Sequence, residues 1–176
     1  MPTLNPYAVI DYLRDLARTG VELGFASILD GCADAIERHY ERRFASEIVA
    51  AMSEFAPRAT WTKRKDGAVV GTVRGIRARV IMRWMKDDRG RDAMEIIYFF
   101  EGRQCAHSKS QDAHWALSGL KMHLKSSIRE CDAAARAAAI WGVKAPGVED
   151  AKERFMRALH VLDLMETRDD DESDDG

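Results

Sequence analysis

Apolar residues recur at helical spacing through the first third of the chain. Asn5 followed by Pro6 predicts a helix start, because an Asn side chain can accept from free backbone N–H groups and Pro has no N–H to leave unpaired. The apolar stripe that follows ends at Gly20, and a longer stripe runs from 21 to 55, with a break expected near 42–46. We therefore expect residues 1–56 to be helical.

The period of the pattern changes to two after this segment, which is typical of β-strands. Asp66-Gly67 predicts a hairpin turn. Residues 76–85 alternate between an apolar face and a face rich in arginine, and residues 93–101 are apolar on both faces, as in a central strand. These patterns predict an antiparallel β-meander of three to four strands within 57–109.

A helical pattern returns after the strands. Ser108 with Gln111 fits a capping box, and leucines at helical spacing follow it. An alanine-rich stretch, 133–139, extends this helix, and a further stripe between 151 and 162 predicts a last one. The pattern thus predicts a long helix packed on the sheet and a carboxyl-terminal helix.

These elements define an α+β fold. We expect one domain over residues 1–167, with residues 110–167 forming its second helical part. The acidic run at 168–176 cannot bury apolar area and is expected to be a disordered tail. Three roles remain open for this tail: it solubilises the chain, it folds back over a basic surface, or it recruits a partner.

Charge is segregated along the chain. Residues 57–130 hold 16 Lys and Arg against 8 Asp and Glu, whereas residues 1–56 hold 5 against 9 and residues 131–176 hold 6 against 12. A basic segment of this kind attracts an anionic partner. The alternative is that the three segments neutralise one another in the fold.

Two rows of basic residues are the candidate site for that partner. One row lies on one face of the third strand, and the other follows four-residue spacing on the helix after the sheet. If both rows face the same side, they form a groove that binds the phosphate backbone of DNA or RNA, with Trp61 or Phe99 stacking on exposed bases. The strand register decides which basic residues are exposed together. The candidate nucleic-acid-binding residues are Lys63, Arg64, Lys65, Arg77, Arg79, Arg83, Lys109, Lys121, Lys125 and Arg129.

The order helix, three strands, helix over residues 44–130 is similar to that of the double-stranded-RNA-binding domain. Ser108-Lys109, placed at the start of the last helix, resembles the phosphate-binding position of that family. The resemblance implies a phosphate contact for Lys109. Ser110 and Asp112 depart from the family's pattern, and we infer no membership.

The residue types that could serve in catalysis or metal binding do not occur at the spacings that such sites require. The three cysteines are widely spaced without a CxxC pair, and His114 and His123 are nine apart, so they do not share a helical face. Glu95 with Asp92 or Glu101 is the best pair of carboxylates, but no glycine-rich loop is present to hold a phosphate group. We therefore expect a binding protein, not an enzyme, with no metal or cofactor.

The rival hypothesis is a protein-interaction module, such as an inhibitor, a chaperone-like adaptor or an assembly factor. Its amino-terminal helices would contact another protein or form a homo-oligomer. No apolar run approaches the roughly 18 residues that span a bilayer, and residues 1–7 lack the features of a secretory signal. We expect a cytoplasmic protein that does not insert into a membrane.

Overall fold

The computed structural model describes residues 6–19, 23–86, 89, 92–110 and 112–167. The tail predicted at 168–176 lies outside the described residues. The helices are α1 (Pro6–Arg18), α2 (Leu23–Phe55), α3 (Ala116–Ile140) and α4 (Val148–Glu166), with a 3-10 turn at Ala113–Trp115. The strands are β1 (Thr60–Lys63), β2 (Val69–Thr72), β3 (Ala78–Lys86), β4 (Asp92–Phe100) and β5 (Arg103–Ser110). The predicted α+β class is confirmed, with five strands where three to four were expected. Within the described residues, no helix combines the length and the apolar character that crossing a membrane requires.

The chain divides into two compact units, unit 1 (residues 1–47) and unit 2 (residues 48–176). In unit 1, the Arg14 guanidinium of α1 donates to Glu37 at 2.6 Å and to Asp34 at 3.2 Å, both on α2. Ile10 and Ala33 are fully buried in this unit. Helix α2 is continuous through 42–46, where a break was expected.

The five strands form an antiparallel sheet in chain order, so each strand pairs with the next one along the sequence. Short turns make this possible. Asp66-Gly67 joins β1 to β2 as predicted: Gly67 has a φ of 81°, and the Asp66 carboxylate accepts from the Ala68 N–H at 3.1 Å. Glu101 and Gly102, with φ angles of 51° and 81°, join β4 to β5.

The core of unit 2 lies between one face of the sheet and the pair α3 and α4. We call this the covered face. It carries buried Val80 and Met82 of β3 and buried Ile96 and Tyr98 of β4. The Tyr98 hydroxyl donates to the Ala158 carbonyl of α4 at 3.0 Å. The buried helix residues opposite are Leu117, Leu120 and Leu124 of α3 and Leu162 and Met165 of α4.

The predicted start of the long helix is wrong. Ser108 and Lys109 lie inside β5, which pairs with β4 as far as Ser110 opposite Met94. The 3-10 turn before α3 is capped by Asp112, whose carboxylate accepts from the His114 N–H at 3.0 Å. Ser108 instead packs against α3 at Gly119. The contact is so close that a Cβ at Gly119 would overlap the Ser108 hydroxyl oxygen.

Candidate nucleic-acid interface

Strand alternation places a second set of side chains on the sheet face opposite α3 and α4, which we call the open face. Arg79 and Arg83 of β3 are exposed there, with Ile81 between them. The register pairs Arg79 with Phe99 and Arg83 with Glu95 on β4. The register that the sequence left undecided therefore puts both arginines on the side away from the helices.

Neighbouring strands complete this face. Lys109 on β5 is exposed and pairs with Glu95, while Thr72 on β2 is exposed and pairs with Arg79. The middle of the face is apolar, since buried Val70 and Ile81 pack together with Ala68 and with half-buried Phe99. The exposed polar residues of the open face, among those the structure describes, are Thr60, Thr62, Thr72, Arg79, Arg83, Gln104 and Lys109.

Arg79 and Phe99 form the most distinctive contact of the open face. The Arg79 guanidinium carbon lies 4.6 Å from the centroid of the Phe99 ring, within the range of a cation–π interaction. Arg77, just before β3, is also exposed and lines a cleft with these two residues and Thr72. The cleft is thus lined by the Arg79 guanidinium stacked on the Phe99 ring and by a second guanidinium, that of Arg77.

Carboxylates are scarce around these cations. Among the described side chains of the open face, Glu95 carries the only carboxylate, and its Oε1 lies 3.0 Å from Nε2 of His107 on β5. Glu101, in the adjoining turn, binds the Arg157 guanidinium of α4 at 2.7 Å. The described side chains of the open face therefore carry an excess of positive charge.

The second predicted row belongs to the helical layer. Lys121 of α3 binds Asp163 of α4 at 2.7 Å and also binds Glu166, and its side chain is 16% exposed. Burial lowers the pKa of Lys121, but the hydrogen bonds from these two carboxylates outweigh it, so the pKa is raised. Lys121 is thus charged and already paired.

Lys125 and Arg129 are exposed on the same helix, where the Arg129 Nε donates to the Lys125 carbonyl at 3.3 Å. Since α3 packs on the covered face, this row and the arginines of β3 lie on opposite sides of the sheet. The two rows do not form one groove.

The remaining candidates lie around β1. Lys63 is exposed and lies two residues after Trp61 in β1, so both are on the covered side of the sheet. Arg64 and Lys65 are exposed in the β1–β2 turn. Trp61 is buried, and its indole N–H donates to the Ala56 carbonyl at 3.1 Å. Phe99, and not Trp61, is therefore the aromatic residue that the site can use for stacking.

The described histidines and cysteines do not come together in a shared site. The His123 Nδ1 lies 3.1 Å from the His107 carbonyl oxygen, and the His114 ring contacts the Phe55 ring edge-on at 4.0 Å. Within the part of the chain that the structure describes, no cluster of three or more His, Cys, Asp or Glu could hold a metal ion. Burial raises the pKa of the Cys105 thiol to about 11, so this thiol is protonated at neutral pH.

Sequence reasoning missed the threonines of the open face and the compensating role of Glu95. Thr60, Thr62 and Thr72 carry no signal alone, since threonine is common in any strand. Their shared side follows only from the register of β1 with β2 and of β2 with β3.

No protein-family model, curated protein or solved structure matches this chain. The function is therefore inferred from the open face and the charges around it.

Proposed function

We propose that the open face binds a nucleic acid through its phosphate backbone. The observation that carries this proposal is the Arg79 guanidinium over Phe99, with Arg77, Arg83 and Lys109 exposed nearby. Arginine and lysine side chains bind phosphates and release condensed counterions, which supplies most of the affinity of sequence-independent binding. An aromatic ring on the same surface adds a place where a base can stack.

The distribution of ion pairs supports the same choice of face. In the helical layer, Lys121 is bound by two carboxylates of α4, and Lys152 lies 2.7 Å from Asp132. On the open face, Glu95 stands between Arg83 and Lys109 in the register and also contacts His107. Among its described side chains, the open face therefore carries three exposed cations, Arg79, Arg83 and Lys109, against the one carboxylate of Glu95.

The test compares two double variants that remove the same charge from opposite sides of the sheet. Arg79→Ala with Arg83→Ala removes two cations from the open face, and Lys125→Ala with Arg129→Ala removes two exposed cations from α3. Binding of labelled single- and double-stranded DNA and RNA is measured by fluorescence anisotropy between about 50 and 200 mM salt.

We expect the open-face pair to weaken binding about tenfold or more and to lower the slope of log K against log salt by roughly 1.4 to 1.8. The α3 pair should change affinity by no more than about twofold, because exposed charges beyond a Debye length are screened. An absence of salt-sensitive binding by the unaltered protein, or equal losses in both variants, would reject the proposal.

Unit 1 favours a second function, a protein-interaction module. Tyr12 is 63% exposed, Phe25 52% and Ile28 60%, and Phe25 and Ile28 share one side of α2 with exposed Cys32. Exposed apolar rows of this kind mark contact sites for another protein or a second copy of the chain.

Light scattering after gel filtration tests this alternative. A dimer that dissociates on changing Phe25 and Ile28 to Ser would support self-association through this row. A monomer whose protein partners are recovered only before nuclease treatment would favour the nucleic-acid proposal instead.

A further inference from the structure

A cleft of about 360 Å³ lies at the end of the open face where β3 begins. Its walls include Thr72, Arg77, Arg79, Phe99 and Gly102. Two of these side chains are guanidinium groups and one is an aromatic ring, while none of the described residues that line it carries a carboxylate. The cleft therefore suits a ligand that combines negative charge with a flat ring.

The adjoining turn fixes this end of the face. The Glu101 N–H donates to the Arg77 carbonyl at 2.8 Å, which ties the segment before β3 to the β4–β5 turn. The Glu101 carboxylate meets both terminal nitrogens of Arg157, at 2.7 and 3.3 Å. The acid nearest to the cleft is thus neutralised by α4, and the charges of Arg77 and Arg79 remain available to a ligand.

We propose that this cleft takes one unpaired nucleotide, so that the protein prefers single strands to duplexes. The proposal rests on the proposed function. The base stacks on the Arg79 guanidinium, whose other face lies on the Phe99 ring with 4.6 Å between the guanidinium carbon and the ring centroid. Arg77 binds the adjoining phosphate. Unpaired bases stack on aromatic rings and on guanidinium planes, whereas in a duplex the bases stack on one another and mainly the backbone is presented.

The size of the cleft agrees with this ligand. Small-molecule sites have volumes of roughly 300 to 1,000 Å³, and one nucleotide lies at the lower end of that range. No side chain of the described cleft is a deep, buried hydrogen-bonding group aimed at a base edge: Thr72, Arg77 and Arg79 are all exposed. We therefore expect tolerance of base identity and selection by strandedness.

Two variants separate stacking from charge. Arg79→Lys keeps the positive charge but loses the flat guanidinium plane, and Phe99→Leu keeps an apolar side chain against Val70 and Ile81 but loses the ring. Arg77→Gln removes the charge inside the cleft, and Arg83→Gln is its charge-matched control outside the cleft. Each variant is titrated with a single-stranded oligonucleotide and with a blunt-ended, fully paired two-strand duplex of the same number of phosphates, after its thermal unfolding has been checked.

We expect Arg79→Lys and Phe99→Leu each to weaken single-strand binding by about 5- to 100-fold and to change duplex binding by less than about twofold. Arg77→Gln should weaken single-strand binding more than Arg83→Gln does. If single strands and duplexes bind equally and Arg79→Lys changes neither, the cleft inference is overturned while backbone binding stands. If the unaltered protein binds no nucleic acid, the proposed function itself fails.

Discussion

Tyr98 on β4 makes a buried hydrogen bond to α4. Its side chain is 0% exposed, and its hydroxyl donates to the Ala158 carbonyl of α4 at 3.0 Å. Tyr98→Phe removes this buried hydrogen bond, and we expect the free energy of unfolding to fall by about 1 kcal/mol. Urea unfolding measures the change. Tyr12→Phe, at a side chain 63% exposed, is the matched control and should have no effect.

Buried protic groups also set how stability depends on pH. Burial raises the pKa of Tyr98 from 10.0 far above that value, and it raises the pKa of Cys105 from 9.0 to about 11. Both groups release a proton more readily when unfolded, so each stabilises the fold less as the pH rises. The Cys105 contribution is complete below about pH 9 and is lost as the pH rises toward 11, and the Tyr98 contribution begins to be lost only above about pH 10.

The Cys105 contribution to that loss is of the order of 2 kcal/mol. Denaturant unfolding between about pH 7 and 10.5 should show the decline, and Cys105→Ala should make it shallower. A stability that stays constant up to pH 10.5 would contradict this account of the two side chains.

The cysteines should differ in reactivity for the same reason. Cys32 is exposed and Cys105 is buried with a raised pKa. The raised pKa keeps the Cys105 thiol almost wholly protonated at pH 8, and the thiolate is the reactive form. Iodoacetamide should therefore modify Cys32 first and Cys105 only after unfolding, as read by peptide mass spectrometry. Modification of both at equal rates in the folded protein would show that Cys105 is accessible.

At the scale of elements, the β1–β2 pair depends on a glycine. Trp61 and Gly71 are opposite each other in the register, and a Cβ at Gly71 would overlap the Trp61 ring. Gly71→Ala should lower the free energy of unfolding by about 1 to 3 kcal/mol through overpacking. Calorimetry or urea unfolding measures it. In a Trp61→Leu background the same substitution should cost much less, and an equal cost in both backgrounds would show that the ring is not the obstacle.

The elements differ in how far the sequence predicts them. Strand β3 was recognised because Val80 and Met82 alternate with Arg79 and Arg83, which also predicted that these arginines share a face. The end of β5 was not recognised, because Ser108 with Gln111 imitates a capping box, and the pairing with β4 that overrides it is a tertiary contact.

Tertiary contacts also explain why the sequence could not predict the candidate site in full. Lys121 and Arg79 both carry a clear basic signal in the sequence. Which face of the sheet α3 covers is decided by packing, as at Gly119 against Ser108, and the pairing of Lys121 with α4 acids follows from that choice. A sequence pattern could therefore find the cations but not tell which of them are available to a ligand.

At the scale of the whole molecule, we predict that the acidic run at 168–176 competes with a nucleic acid for the open face. It holds six acidic residues and Arg168, and it lies outside the described residues. A tethered polyanion reaches an effective concentration in the millimolar range when its linker is short. Removing 168–176 should therefore tighten nucleic-acid binding at low salt, with a difference that shrinks as the Debye length falls to about 8 Å near physiological salt.

Anisotropy titrations of the full and shortened chains at several salt concentrations measure this effect. A full-length control with the six acids changed to Asn or Gln should behave like the shortened chain, because charge and not length is responsible. Equal affinities of the unaltered and shortened chains at every salt concentration would leave the run as a solubilising end or a docking segment.

We propose that the open face, and not the helical layer, contacts the nucleic acid. Amide chemical-shift mapping during titration with a single-stranded oligonucleotide locates the contact most directly. We expect the largest changes at Thr72, Arg79, Arg83, Phe99 and Lys109, with small changes along α3 and α4. Changes confined to α3 around Lys125 and Arg129, or to α1 and α2, would contradict it.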